Sequence, residues 1–406
     1  MTIQEKDIEA IKNAALSCIK CAFCRQTLPS LTKSNRFADN CPSGLYFNYE
    51  AYYASGRNEI ARAILLNEYP LQDSKQLQEI IYSCTTCGAC EVNCRYISDT
   101  NVLPVRTTEK IRAFLAQKGM GPLPNQQKFA EYIKTNNNPY GESASRNSWV
   151  KDAAIPDKQQ AKYLYFVGCT TGYRLKNVAL ATANILKFLK EDFIVSSQEI
   201  CCGSPLLRTG QLEDLGRLIQ HNIDLIKQTR CKTVLFSCAG CYRTVKKDWP
   251  EILGKPLPFK TLHIAEYLAQ KVKKLKFNPI SKKVAYHDPC HLGRHLFPNQ
   301  VYDQPRLIID RIPGVERIVL EREKDSTLCC GAGGGVKSGM PEYSEYIASL
   351  RVEEVRAKGA DTIITACPFC IRGLRDGAKL EAKNSGLKEI EVIELTELVF
   401  QALEGK

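Results

Sequence analysis

The sequence predicts an α+β multidomain protein in which a helical N-terminal domain precedes two copies of an α/β domain. In residues 1–115, cysteine motifs are separated by helix-like sequence, notably 48–66 and 74–83. From Lys162 onward, short apolar runs typical of strands alternate with amphipathic helical runs. One five-cysteine pattern then occurs twice, with matching cysteines 121, 128 or 129 residues apart. This offset indicates a duplicated domain rather than a short-period repeat.

We therefore expect four segments: a helical domain at 1–115, a linker at 116–160, a first α/β domain at 161–282 and a second at 283–406. The linker is assigned because 116–160 is rich in Gly, Pro, Asn and Ser. Residues 129–135 within it are also compatible with a docked helix.

Each α/β domain is predicted to deliver cysteines from its strands. In the first domain the strand-like runs are 162–169, 193–197 and 233–238, and in the second they are 283–290, 316–321 and 361–367. Helical runs follow at 174–190, 212–228, 306–312 and 342–358. Cysteines come at the ends of these strands, where open α/β sheets place their ligand sites. The N-termini of the helices that follow offer N–H groups to anionic sulfur.

Composition favours a soluble, metal-binding protein. The 406 residues are 44% apolar and 25% charged, and no run of about eighteen apolar residues occurs. The N-terminus has no apolar core of the signal-peptide type, so we expect a cytoplasmic protein. Spaced motifs use eighteen of the nineteen cysteines, which favours metal over disulfides. The formal charge of +12 ignores metal-bound thiolates, and Lys and Arg are scattered, so we expect no nucleic-acid partner.

Eight N-terminal cysteines have the spacing of iron–sulfur ligands. Cys84, Cys87, Cys90 and Cys94 follow the bacterial [4Fe–4S] spacing, whereas the run from Cys18 has its fourth member displaced to Cys41. Zinc is the alternative, but compact C-x-x-C-x-x-C steps suit a cube better. In two-cluster ferredoxins the fourth cysteine serves the other cluster. That rule predicts one cube on Cys18, Cys21, Cys24 and Cys94, and another on Cys84, Cys87, Cys90 and Cys41, although the insert 26–40 departs from the ferredoxin pattern.

The duplicated cysteine pattern is a lone Cys, then Cys-Cys-Gly, then Cys-x-x-Cys. The gaps are 31, 35 and 2 residues in the first copy and 38, 36 and 2 in the second. Its members are Cys169, Cys201, Cys202, Cys238 and Cys241, then Cys290, Cys329, Cys330, Cys367 and Cys370. Five thiolates exceed the four that a zinc ion or an ordinary cube requires.

Together these motifs resemble the heterodisulfide reductase family, above all its fused D-type member. The N-terminal spacing resembles the α-helical ferredoxin domain of fumarate reductase and related respiratory enzymes, and the resemblance spans nearly the whole chain. It implies two cubane and two noncubane [4Fe–4S] clusters, with the ten repeat cysteines as the catalytic site. The implied substrate is a small-molecule disulfide such as that of coenzyme M and coenzyme B, held between the noncubane clusters.

Disulfide reduction takes two electrons and releases two thiols, a requirement that two adjacent one-electron clusters meet. The alternative is an electron-relay subunit for a flavin-linked glycolate, lactate or glycerol-3-phosphate dehydrogenase. A zinc-stabilised scaffold is a third class, which a colourless, iron-free protein would establish. No flavin or nicotinamide motif is present, so electrons must come from a redox partner subunit. The resemblance implies a membrane cytochrome b or a flavoprotein, and with the former a peripheral location on the inner face of the membrane.

Several residues near the cysteines are secondary candidates. His287, Asp288, His291, Arg294 and His295 surround Cys290, and we assign His291 to the catalytic site as a proton donor, with a purely supporting role for these histidines as the alternative. Four basic residues could bind an anionic substrate or offset cluster charge: Arg174, Arg208, Arg243 and Lys337. The glycines at 331–335 are expected to let the backbone approach the cluster held by the second repeat set, and Cys231 is expected to be a buried bystander.

Overall fold

The N-terminal domain is built from short helices that hold the two cysteine runs apart. The structure is a computed structural model that describes residues 2–27, 35–68, 70–97, 102–155 and 158–404; the part of the 26–40 insert at 28–34 lies outside these. The helices are α1 (Glu5–Leu16), α2 (Pro42–Phe47), α3 (Ala54–Leu65), α4 (Lys75–Tyr82), α5 (Ala89–Ile97) and α6 (Pro104–Gln117). α1, α3 and α6 pack around Ile11, Ala61 and Leu115, which are almost fully buried.

The segment 116–160 contains a docked helix, α7 (Pro124–Asn136), over the residues where the sequence left that possibility open. Ile133 on α7 is fully buried against Leu206 and Leu218 of the first α/β domain. The residues after α7 stay attached to that domain, because the backbone N–H of Cys201 donates to the Asn137 carbonyl at 2.9 Å. Much of the segment therefore packs as part of the first α/β domain.

The first α/β domain has four parallel strands in the order β2-β1-β3-β4. They are β1 (Tyr163–Phe166), β2 (Phe193–Ile194), β3 (Thr233–Phe236) and β4 (Lys260–His263). The intervening helices are α8 (Cys169–Arg174), α9 (Lys176–Phe188), α10 (Ser204–Thr209), α11 (Leu215–Gln228), α12 (Ala239–Arg243), α13 (Trp249–Leu253) and α14 (Ile264–Lys271), with a π-helical turn at Thr244–Asp248. β1 and β3 are nearly completely buried, which accounts for their continuous apolar sequences.

The second α/β domain repeats this topology as β6-β5-β7-β8, again parallel throughout. Its strands are β5 (Lys282–His287), β6 (Val315–Ile318), β7 (Thr362–Thr365) and β8 (Glu391–Glu394). Its helices are α15 (Asp303–Ile309), α16 (Val336–Gly339), α17 (Pro341–Ala357), α18 (Pro368–Ser385) and α19 (Leu395–Glu404). The edge strands β4 and β8 were missed in the sequence, because each has only four residues, of which no more than two are apolar.

The strand order puts the repeated cysteines where such sheets bind ligands. Strand order reverses between β1 and β3, and between β5 and β7, and ligands bind in the crevice outside the carboxyl ends at that point. Cys169 and Cys238 follow β1 and β3, and Cys290 and Cys367 follow β5 and β7. Both α/β cores join in one continuous hydrophobic cluster. In the described ranges, no helix is both long and apolar enough to span a bilayer.

Candidate metal centres

The outer cysteine set consists of Cys18, Cys21, Cys24 and Cys94. These four thiols line one small cavity between the chain after α1 and the helix α5, together with Ala54 and Pro104. Cys21 is exposed at the mouth of this cavity, whereas Cys24 is buried and its thiol lies 3.5 Å from the Ser55 hydroxyl. Burial raises the pKa of the Cys94 thiol to about 12, so a thiolate there needs a positive partner such as a metal.

The inner cysteine set consists of Cys41, Cys84, Cys87 and Cys90. These thiols line a second cavity, which also includes Arg57. Burial raises the pKa of the Cys41 thiol to about 11, although Arg57 opposes that shift. The structure therefore brings together the same two groups of four cysteines that the ferredoxin rule predicts. In both groups the fourth cysteine comes from the other run. For the outer set, this is because α5, which carries Cys94, packs against the turn at Phe23–Arg25.

The first repeat set gathers its five thiols in one buried, continuous group. The Cys202 and Cys241 sulfurs are 3.4 Å apart, Cys169 contacts Cys201, and Cys238 contacts Cys241. Gly168 makes this possible, because a Cβ built there would lie 2.9 Å from the Cys241 sulfur, and its φ of +75° is in the left-handed region.

Arg146, from the 116–160 segment, is buried against the first repeat set. Its guanidinium donates to the Cys169 sulfur at 3.4 Å and pairs with the buried Glu199 at 2.6 Å. Glu199 in turn accepts from the backbone N–H groups of Val167 and Gly168. These contacts fix the backbone at the end of β1, from which Cys169 follows.

The second repeat set is arranged in the same way. Contacts link Cys290 to Cys329, Cys330 to Cys370 and Cys367 to Cys370. All ten repeat cysteines are buried except Cys290, which is partly exposed. The buried carboxylate here is Asp288, whose pKa is lowered by its hydrogen bond and ion pair with Arg306 despite its burial.

Three of the four cysteine sets are connected by thiol contacts. Cys87 of the inner set contacts Cys329 of the second repeat set, and Cys238 of the first repeat set contacts Cys367 of the second. The repeat sets therefore face each other through their Cys-x-x-Cys loops. Only the second repeat set contacts the N-terminal domain through a thiol, within the part of the chain that the structure describes.

The histidines predicted near Cys290 all lie close to thiols of the second repeat set. Nitrogen atoms of His291 and His295 lie within 4.8 Å of the Cys290 sulfur, and His287 is equally close to Cys330 and Cys370. His291 also reaches the first repeat set, because its Nδ1 is 3.6 Å from a Cβ built on Gly240. Burial lowers the pKa of His291 to about 3, so its imidazole is neutral at pH 7 and can offer an N–H donor.

The four basic residues near the cysteines all pair with carboxylates. Arg174 pairs with Glu142, and Lys337 with Asp376. Arg208 and Arg243 share Asp248, and Arg208 also pairs with Glu109. These pairs leave less free charge for an anionic substrate than the sequence alone suggests.

The glycine loop makes its close approach to the N-terminal domain. A Cβ on Gly333 would lie 2.6 Å from the Thr85 carbonyl oxygen, and one on Gly334 would lie 2.4 Å from that of Cys84. The loop after Cys330 thus packs directly against the backbone of the inner set. Cys231 is buried apart from all four sets, and its thiol donates to the Ala161 carbonyl at 3.0 Å.

Sequence reasoning missed the buried side chains that support these sets from distant segments. Along the chain, Arg57, Arg112 and Arg146 are far from the cysteines that they approach in space. No spacing in the sequence indicates that they belong to these sites. Arg112 is fully buried and donates to the carbonyls of Ile81, Cys84, Arg208 and Gly334, which come from all three domains.

Comparison with known proteins identifies the class. Residues 14–96 match the 4Fe-4S dicluster domain, and residues 163–246 and 284–375 match the cysteine-rich domain of Cys-Cys-Gly proteins. With the four thiol sets, these matches define an iron–sulfur oxidoreductase with an N-terminal α-helical ferredoxin domain and two Cys-Cys-Gly domains. The predicted fold class and the prediction of iron–sulfur clusters are confirmed.

The chain belongs to the D-type family of heterodisulfide reductase subunits. It is 37% identical to the D-type subunit of the dihydromethanophenazine:CoB–CoM heterodisulfide reductase of Methanosarcina mazei, over 99% of this chain and 97% of that protein. It is also 33% identical to the B-type subunit of the fumarate reductase (CoM/CoB) of Methanothermobacter marburgensis, covering 95% of this chain and 72% of that protein.

More distant relatives have other names. The EtfAB:quinone oxidoreductase of Syntrophomonas wolfei is 27% identical over 96% of this chain and 58% of its own length. Among solved structures, a hypothetical protein from Helicobacter pylori shares the fold with a TM-score of 0.53 at 11% identity, covering 87% of this chain and 68% of its own.

Proposed function

We propose that this chain is the iron–sulfur catalytic subunit of a heterodisulfide-reductase-like complex, which reduces a small-molecule disulfide to two thiols at the paired repeat sets. The observation that carries the proposal is the contact between Cys238 and Cys367, which makes two complete five-thiolate sets face each other. Two such neighbouring sites can supply the two electrons and take up the two sulfurs of a disulfide, whereas a relay of single electrons needs only one site.

The residues present fit the cofactors that this function requires. The outer and inner sets, with four thiols around a cavity each, suit cubane [4Fe–4S] clusters, and the two repeat sets suit noncubane clusters. Bound clusters would supply single electrons and, at the repeat sets, iron that can take up sulfur. The protein's own contribution is to hold the two repeat sets face to face and bury nine of their ten thiols.

The thiol contacts support one order of electron transfer. Electrons would enter at the outer set, where Cys21 is exposed, and pass to the inner set. The contact between Cys87 and Cys329 then leads to the second repeat set, and the contact between Cys238 and Cys367 leads to the first. The donor would be a separate redox protein, either a membrane cytochrome b or a flavoprotein, since the family relatives are named as subunits.

We propose that His291 assists at the repeat sets. It follows Cys290 of the second set and its ring lies against Gly240 of the first, so it is within reach of a substrate held between them. As a neutral imidazole it would donate a hydrogen bond to a sulfur that gains negative charge.

The test is an anaerobic assay on the intact protein. The clusters are reduced with a viologen, the coenzyme M–coenzyme B disulfide is added, and reoxidation and thiol release are followed together. The proposal expects reoxidation with two thiols released per disulfide. A Cys238→Ser variant should lose thiol release, whereas the matched Cys231→Ser variant should keep it. The proposal would be refuted if a protein that contains all its clusters were not reoxidised by any disulfide.

The second candidate is an electron-transfer subunit of a flavin-linked dehydrogenase acting on glycolate, lactate or glycerol 3-phosphate. It is favoured by the similarity to an EtfAB:quinone oxidoreductase. It predicts that the reduced protein ignores disulfides and exchanges electrons with a co-purified flavoprotein. The same assay with and without that flavoprotein separates the two functions.

A further inference from the structure

Nine arginines are buried in the described part of the chain, and they fall into two groups. Six pair with a carboxylate within 4.0 Å: Arg146, Arg208, Arg243, Arg306, Arg322 and Arg351. The other three, Arg57, Arg112 and Arg294, are at most 4% exposed and form no ion pair with any described carboxylate. A buried charge without a counterion is strongly destabilising, so these three positions need an explanation.

The hydrogen bonds of the three arginines all go to neutral groups. Arg57 donates to the Ile80 carbonyl at 2.8 Å and to the hydroxyls of Ser43 and Ser83. The guanidinium of Arg112 donates only to main-chain carbonyls, and it lies 5.1 Å from the centroid of the Tyr82 ring.

Arg294 is held in the same way. It donates to the carbonyls of Cys87, Asp325 and Thr327, and its Nη2 has no partner. These bonds orient three guanidinium groups but neutralise none of their charge.

All three arginines converge on the inner set. Arg57 lines the cavity that the inner thiols surround, Arg112 donates to the Cys84 carbonyl at 2.6 Å, and Arg294 donates to the Cys87 carbonyl at 2.9 Å. They come from α3, from α6 and from the loop after Cys290, so two separate domains supply them.

The outer set differs in its charges. Lys20, which lines its cavity, pairs with Glu59 at 2.8 Å, and the nearby Arg25 pairs with Glu50. Glu50 also accepts a hydrogen bond from Ser55, whose hydroxyl contacts Cys24. Lys20 and Arg25 are thus offset by carboxylates, and Cys21 is exposed.

We propose that Arg57, Arg112 and Arg294 are the counterions of the inner cluster, and that they make it the more easily reduced of the two N-terminal cubes. A cube on four thiolates carries roughly two negative charges when oxidised and three when reduced, so buried cations stabilise the reduced form more. Electrons entering at the exposed outer cube are therefore drawn inward to the thiol that contacts the second repeat set. This inference rests on the proposed cube assignment, but not on the identity of the final substrate.

The test is an EPR-monitored redox titration of the anaerobic holoprotein, without any disulfide. In Arg57→Gln and Arg294→Gln, the ratio of reduced to oxidised inner cube at a fixed potential should fall tenfold or more, which is about 59 mV for a one-electron couple. Of the two N-terminal cubes, only the more easily reduced one should change its reduction potential. Arg57→Lys, which keeps the charge, should leave the ratio within a few-fold of the parent.

The matched control is Arg351→Gln. Arg351 is fully buried like the three arginines, but it pairs with Glu354, which keeps Arg322 as a second partner. This variant should leave both cube potentials unchanged. Equal potentials in the parent, Arg57→Gln and Arg294→Gln would overturn the inference, as would a shift of both cubes alike.

Iron analysis keeps the test decisive if a variant loads poorly. If Arg57→Gln lacks the inner cube while Arg57→Lys retains it, charge compensation is supported, and equal loss in both variants overturns it. The result of the disulfide assay does not determine the result of this titration. Even in a protein that releases no thiols, the potential of the inner cube either depends on the arginines or does not. The two ideas can therefore fail independently.

Discussion

Replacing Gly168 by alanine tests whether the first repeat set depends on a close approach of backbone and sulfur. The new Cβ would lie 2.9 Å from the Cys241 sulfur, a distance that real Cβ atoms essentially never show. The Gly168 backbone, at φ +75° and ψ 158°, lies in a region that is essentially confined to glycine, so alanine there costs about 1–3 kcal/mol by itself. Forcing a methyl group into the packed set adds about 1–3 kcal/mol, or else displaces the sulfur.

Gly254→Ala is the control for a positive φ without a close approach, because Gly254 has a φ of +64° and no atom within 4 Å of its built Cβ. At its left-handed helical geometry, with ψ 18°, we expect it to lower stability by about 1–2 kcal/mol with full iron content. Gly168→Ala should lose more stability and about a quarter of the iron, if four clusters of equal size are bound. Iron analysis and anaerobic thermal unfolding measure both effects. Equal iron content and equal stability in the two variants would refute the reasoning.

Three further predictions follow from other parts of the structure. Arg112→Met should lower the unfolding free energy by about 3 kcal/mol or more in anaerobic denaturation, because it leaves the four carbonyls from three domains without their shared donor; unchanged stability would contradict this role. Burial raises the pKa of Glu394 from 4.5 to about 8, so the folded state retains a proton that the unfolded chain releases, and stability should fall as pH rises from about 4.5 to 8. Glu394→Gln should remove this fall, so that near pH 9 the variant is more stable than the parent by roughly 4 kcal/mol. Thermal unfolding of both proteins between about pH 5 and 9 measures this difference. The same dependence of stability on pH in the two proteins would contradict the prediction. Cys21→Ser should lose only the outer cube and slow reduction by the partner, and Cys231→Ser should keep all iron, as EPR and iron analysis can check.

Much of the fold was accessible from the sequence because it depends on local patterns. The central strands β1, β3, β5 and β7 each contain a buried apolar run, and each ends two or three residues before a repeat cysteine. The edge strands β4 and β8 were missed, since pairing with a neighbouring strand, rather than composition, makes them strands. The helix α7 lies in a segment that composition marked as a linker, and it is ordered by the burial of Ile133 against the first α/β domain.

The candidate sites divide in the same way. Cysteine spacing and the ferredoxin rule predicted which thiols belong together, including the displaced Cys41 and the exchange of the fourth members Cys41 and Cys94, because ligand geometry constrains the chain near a cluster. It also predicted two repeat sets at the ends of duplicated strands. Spacing does not encode how the sets are ordered in space, because their relative positions depend on how three domains pack.

The sequence by itself determined the class of protein, the number of cysteine sets and their members. Only the tertiary structure decided that Cys87 contacts the second repeat set rather than the first, and that the two repeat sets meet through Cys238 and Cys367. It also decided that Arg57, Arg112 and Arg294 surround the inner set, although they are distant from one another in the chain. The physical reason is that charge compensation and electron transfer act through space over a few ångströms, whereas sequence patterns record only neighbours along the chain.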